Sequence, residues 1–249
     1  MRSAWDARPG VVDPIPLTDW VVVTRRDPVT GVVLHQARYA NTITSWARAA
    51  LAQWLIGSPL LQGLADSRPL YMALGTGTQT PSSTDVTMFA EAPATRLVYS
   101  YRSVFQAYTA QLTTNYTVGQ AVGTWYEAGL WDAPSTATTL AAQADAGATT
   151  ISVTTAPTVY GTLQPGQYTT AYISDGASSE TVSLAAPYAA GAASWTLQAP
   201  LQYTHASGTA ITVFTGNLWA HVSLGSTGET QPAQGAALSL QWSLAVQAN

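Results

Sequence analysis

The residues best suited to chemistry in this 249-residue chain are a glycine pair, three histidines, scattered carboxylates and a group of tyrosines. Gly75-Thr76-Gly77-Thr78 follows an apolar run (Leu70, Met72, Leu74), the order in which a strand feeds a phosphate-binding loop. A Walker-type loop needs a lysine to meet the phosphates, and the chain contains no lysine. A dinucleotide fingerprint needs a third glycine and a helix opening behind it, whereas Gln79-Thr80-Pro81-Ser82-Ser83 is turn chemistry. The glycines therefore read as a strand-exit turn, and no cofactor is expected. His35, His205 and His221 lie far apart, without a second histidine or carboxylate at ligand spacing, so no metal site is expected. Glu127 sits between Tyr126 and Ala128 in an apolar run. A glycosidase would pair it with Asp132 or Glu91 as acid and base. The alternative is an ion pair with Arg96 or Arg102, because a lone charge in a dry sheet is costly. In a chain with so few charges the ion pair is the favoured expectation. Ser82-Ser83 and Ser178-Ser179 lack a nucleophile-elbow context. The chain is thus expected not to be an enzyme. Tyr160, Tyr168, Tyr188 and Tyr203 fall in expected loops and form the candidate ligand or partner surface, while Trp195 alternates inward with Leu197.

The elements that must carry these residues are mostly strands. Trp20–Thr24 and Val32–His35 flank the turn-forming stretch Arg26–Gly31. One helix is predicted over residues 43–56. Ile43, Trp46, Ala47, Ala50, Leu51, Trp54 and Leu55 form a single apolar stripe, with Asn41 or Thr42 as the cap. Leu112, Thr114, Tyr116 and Val118 share one strand face, and Leu238, Leu240, Trp242, Leu244 and Val246 share another. Between 138 and 214 the texture turns Ala/Thr/Gly-rich with short strands. There Ala146–Val153 is repeated weakly as Ala190–Leu197. Two similar β units packed as a small barrel or sandwich account for this, and insertion at an exposed loop is well tolerated. The predicted organisation is an extended arm (1–18), a β-sandwich-like main domain (19–137 and 215–249) and an inserted small β domain (138–214).

Composition narrows the partners. Charged residues are 9% of the chain, against roughly 25% in ordinary soluble domains. Nine Trp and twelve Tyr nevertheless supply large burial units. Such a surface suits a protein covered by neighbours or touching uncharged ligands. All nine basic residues are arginines ending at Arg102, and residues 103–249 hold six acids and no base. A segment without cations cannot track a phosphate backbone, so nucleic-acid binding there is excluded. Absent cysteine removes disulfides and thiol chemistry. No signal peptide and no apolar run of membrane-spanning length are visible.

Four ordered blocks resemble structural proteins of tailed-bacteriophage tails and baseplates. They are the helix ending near Leu55-Ile56-Gly57; Tyr71–Gly77 with Pro81-Ser82 and Glu91–Arg96; Gly123–Trp131; and Leu218–Val222 with the terminal strand Leu238–Val246. The long insertion and the Pro-rich arm depart from the basic pattern. The resemblance implies a non-enzymatic component of the virion that assembles with copies of itself, as a trimer or six-fold ring, and with other tail or baseplate proteins. The inserted domain would then be free to meet a host-surface glycan.

Overall fold

Period-two alternation of apolar residues builds most of the chain into strands, and the protein is mainly β. The structure is a computed structural model that describes residues 17–55, 69–105, 109–157, 169–185 and 192–246. The predicted arm at 1–18 lies almost wholly outside the described residues. Strands β1 (Leu17–Arg26) and β2 (Val33–Ile43) form the first hairpin, and α1 (Ser45–Leu55) follows. Next come β3 (Tyr71–Gly75), β4 (Leu97–Val98), β5 (Tyr101–Phe105), β6 (Thr109–Tyr116), β7 (Gly123–Trp125) and β8 (Glu127–Trp131). Six short strands then occupy the middle: β9 (Thr136–Thr139), β10 (Thr150–Ser152), β11 (Thr170–Ser174), β12 (Ser179–Ser183), β13 (Ser194–Thr196) and β14 (Ala210–Phe214). Strands β15 (Leu218–Ser223), β16 (Glu229–Gln231) and β17 (Ala237–Val246) complete the described chain.

The main part is not two packed sheets as the sandwich-like expectation had it but one curled nine-stranded antiparallel sheet, ordered β4-β3-β8-β15-β2-β1-β17-β6-β5. Its two edge strands are consecutive in the chain. Tyr99 donates its amide to Leu70 on one side, and Ser100 donates to Thr113 on the other. Residues 97–105 therefore join both edges and close the curled sheet on itself. Inside lie Val21, Val23, Met72, Leu74, Leu130, Val222, Leu240 and Trp242, all fully buried. Tyr116 spans this core and donates its hydroxyl to the carbonyl of Thr95 at 2.9 Å.

The helix begins two residues later than predicted. Asn41–Ile43 stay in β2 because β15 supplies ladder partners for them, Ile43 facing Ala220. Thr44 is the cap instead: its Oγ1 accepts the Ala47 amide and donates to the carbonyl of Leu218 at 2.7 Å. The helix lies against β15, with Trp46 edge-on to Trp219 at 5.3 Å.

Strands β9, β11, β12 and β14 pair only among themselves, in the order β12-β11-β14-β9, while β10 pairs with β13. They enclose a second apolar core whose buried members all fall between Leu140 and Val213. Trp195 and Leu197 both point into it. The internal repeat is the visible part of a pseudo-two-fold arrangement. The two copies pair with each other through Ile151↔Trp195. The bridges Leu140↔Val153 and Leu184↔Leu197 are equivalent, at one constant displacement along the chain. The hydrogen bonds Ala141→Ser152 and Ala185→Thr196 repeat the equivalence, and β11 meets β14 about the central pair Tyr172↔Thr212.

Candidate functional site

The turn that carries the glycine pair does hold an anion, and the anion belongs to the protein. Glu127 opens β8 with its side chain fully buried beneath the turn that leaves β3. Its carboxylate accepts backbone N–H bonds from Gly77 at 3.0 Å, Phe89 at 3.0 Å and Ala90 at 2.7 Å. A Cβ on Gly75 or Gly77 would come within 2.4 or 2.6 Å of Glu127 Oε1, so both positions need glycine for this close approach. The fourth partner is His221 on β15, whose Nε2 lies 2.7 Å from Glu127 Oε2. On the other side of the ring, Nδ1 lies 2.8 Å from Asp85 Oδ2, and Asp85 also accepts the Ser82 amide. Phe89 covers the ring at 4.8 Å between centroids. Burial alone would raise the Glu127 pKa, but the bonds from His221, Ala90 and Phe89 outweigh it and hold the carboxyl below its usual range.

This overturns the expected ion pair of Glu127 with Arg96 or Arg102. Arg102 is exposed, its guanidinium 6.0 Å from the Tyr99 ring. Arg96 is buried and gives a two-pronged contact to Glu91, at 2.7 and 2.6 Å. Its remaining Nη1 donates to the carbonyls of Ala133 and Thr215, and its plane lies 4.0 Å from the Trp131 ring centroid. Those two carbonyls sit where the chain leaves for β9 and returns from β14. Asp132 and Asn217 close the same neck, the Asn217 amide and side chain donating to the Asp132 carboxylate at 2.7 and 2.8 Å. Both carboxylates that a glycosidase reading would pair with Glu127 are therefore committed, Glu91 to Arg96 and Asp132 to Asn217.

The other histidines are also tied to carboxylates. His205 lies between Glu180 (Nε2, 3.1 Å) and Asp175 (Nδ1, 3.4 Å), and Glu180 accepts the amides of Gln202 and Tyr203. His35 lies 3.1 Å from Glu229, which also accepts the Tyr39 hydroxyl. A neutral imidazole offers one donor and one acceptor. Rings that face carboxylates on both sides tie together the chain segments carrying them, so His221 and His205 serve as staples between those segments. A general base needs a ring nitrogen facing a substrate proton, and neither of these rings has one to give. Among the described residues no group of His, Asp and Glu is arranged to hold a metal.

The staples fix residues 85–91 as one wall of a cleft of about 390 Å³. The opposite wall is the outer face of β11 and β12, carrying Thr170, Thr181 and Ser183, and Trp131 and Phe214 line the depth. Of the four tyrosines expected as a ligand surface, Tyr160, Tyr168 and Tyr188 lie outside the described residues. Tyr203 is exposed on the second core, beside Glu180 and away from the cleft lining. Sequence reasoning missed His221, Asp85 and the Arg96 neck, since their partners stand far off in the chain. The one available signal was the glycine spacing, which marks a close approach without naming the visitor. No helix among the described residues is long and apolar enough to cross a membrane. Compared with models of known protein families and with curated proteins, the chain matches none.

Proposed function

We propose that the chain is a non-enzymatic structural part of a bacteriophage tail, in the baseplate, tail tip or fibre of the virion. Its closed main sheet assembles with copies of itself, as a trimer or six-fold ring, and with other tail proteins. Residues 138–214 form an inserted domain that meets the host surface. The observation that carries this reading is how the buried and half-buried ionisable groups are used. Each of Glu127, His221, Asp85, Glu91 and Arg96 is spent on joining segments of the fold, which is the economy of a scaffold rather than of an acid–base site. Three of the four sequence blocks of the resemblance coincide with these joints: Tyr71–Gly77 with Glu91–Arg96, Gly123–Trp131 and Leu218–Val222.

A second reading, a carbohydrate-binding module, is favoured by the hydroxyl-lined cleft. Removing 138–214 and closing the chain with a short turn separates the two, because the neck already brings Asp132 and Asn217 into hydrogen-bond contact. The shortened chain is expected to fold and to form the same oligomer as the full chain. An unfolded product, measured by circular dichroism, contradicts the inserted-domain organisation. A folded but monomeric product places assembly in the insert and contradicts the proposed role of the main sheet.

A further inference from the structure

The cleft between the 85–91 wall and the β11–β12 face has a chemistry of its own. Its two carboxylates face inward to partners, Asp85 to His221 and Glu91 to Arg96, so the wall presents little net charge. The side-chain hydroxyls of Thr87, Thr170, Thr181 and Ser183 make none of the side-chain hydrogen bonds among the described residues. At depth, the buried Trp131 indole N–H has no hydrogen-bond partner. An orphaned buried donor carries a desolvation cost that a ligand oxygen can relieve. It lies over Gly129 beside the Met88 sulfur, since a Cβ on Gly129 would be 2.9 Å from the indole nitrogen and 2.5 Å from that sulfur. Met88 is an unbranched thioether that can change rotamer to admit a ligand group. Phe89 and Phe214 add apolar ring surface. The volume falls within the range of small-molecule sites, which run to roughly 300–1,000 Å³.

We infer that this cleft binds a neutral sugar unit of a surface glycan. Hydroxyl acceptors and donors on two walls match the many hydroxyls of a sugar. The aromatic rings match its apolar C–H face. Among the described residues the lining holds no arginine or lysine to reward an acidic sugar, and Arg96, stacked on Trp131, is already bidentate to Glu91. The pseudo-two-fold mate of this face does not reproduce the lining. By strand register Thr170 and Thr181 correspond to Ala210 and Ala137, and Ser183 to Thr139. Two of the three hydroxyls are therefore lost there and, among the described residues, the fuller hydroxyl face is the one turned to the stapled loop. This inference deepens the host-surface role proposed above and rests on it for its biological meaning, though not for its chemistry.

Saturation-transfer NMR on the full chain tests it, with glucose, galactose, mannose and N-acetylglucosamine as neutral probes and galacturonate as the anionic one. At least one neutral probe is expected to bind with Kd on the order of 1 mM, with galacturonate at least about ten-fold weaker. Thr181 is exposed on the edge strand β12, so Thr181→Trp fills the cleft without touching either core. That variant is expected to keep its circular dichroism and oligomeric mass and to lose the neutral-sugar signal. Absence of transfer from every neutral probe overturns the inference. So does a signal that survives in a folded Thr181→Trp variant, or equal binding of galacturonate. Should Thr181→Trp not fold, Ser183→Trp is the second variant and is read by the same outcomes. A chain that assembles but binds no sugar defeats this inference alone. One that binds sugar as a strict monomer defeats the assembly role alone.

Discussion

Replacing Glu127 with Gln tests the staple at its centre while changing almost no volume. The carboxylate accepts three backbone amides and faces the His221 ring. The Oε1 atom can remain an acceptor for Gly77 and Ala90. The new NH2 group then stands where Oε2 stood, 3.0 Å from the Phe89 amide and 2.7 Å from the ring. A buried donor now meets a donor, and His221 keeps Asp85 as its one carboxylate. Removing one partner of a fully buried pair costs about 3–5 kcal/mol. For a chain of this size that lowers Tm by roughly 6–20 °C, at about 2–4 °C per kcal/mol. Urea unfolding gives the free energy, and hydrogen exchange locates it, with protection lost first at Gly77, Phe89 and Ala90. Paired with His221→Leu, the double variant is expected to lose less than the two singles together, by at least about 1 kcal/mol. A Glu127→Gln variant within about 1 kcal/mol of wild type, with those amides still protected, refutes the reasoning.

Three further outcomes follow from the same geometry. Because the folded pKa of Glu127 lies below its unfolded value of 4.5, its contribution is full above that pH and is lost as pH falls through the folded value. A urea midpoint that does not drop below about pH 4.5 in wild type, relative to Glu127→Gln, contradicts it. Gly75→Ala forces a Cβ to within 2.6 Å of the Ala90 carbonyl and 2.4 Å of Glu127. It should cost about 1–3 kcal/mol in thermal or urea unfolding, and wild type should show no ATP binding by calorimetry. Arg96→Met strands Glu91 without its partner and frees the carbonyls of Ala133 and Thr215. A loss of about 3–5 kcal/mol is expected, with exchange protection falling first around the neck at Asp132 and Asn217.

What could be read in advance was periodic. The buried faces Leu112-Thr114-Tyr116 of β6 and Leu238-Leu240-Trp242 of β17, the Ala47 and Ala50 side of α1 and the repeat at 146–153 and 190–197 are local patterns that a strand or helix imposes on its own residues. Val118, expected on the first face, lies beyond β6 and is exposed. The helix start was misplaced because it depends on β15, a strand about 175 residues further on that holds Ile43 in the sheet. The ion pairs were misassigned for the same reason. Glu127 and His221 meet only because β8 and β15 are neighbours in the sheet, and Arg96 reaches Thr215 only because the chain returns to the neck. Nothing near Glu127 in the chain distinguishes a histidine partner from an arginine one. Glycine at 75 and 77 was the honest trace of the site, since it recorded that something would come close. Which group came close is a property of the closed sheet.

The most direct test of the scaffold reading is native mass spectrometry of the full chain across a range of concentrations, alone and mixed with candidate tail proteins. A single closed oligomer is expected, three or six copies of the 26.1 kDa chain, retained in the Thr181→Trp variant. A strictly monomeric mass under every one of these conditions contradicts it.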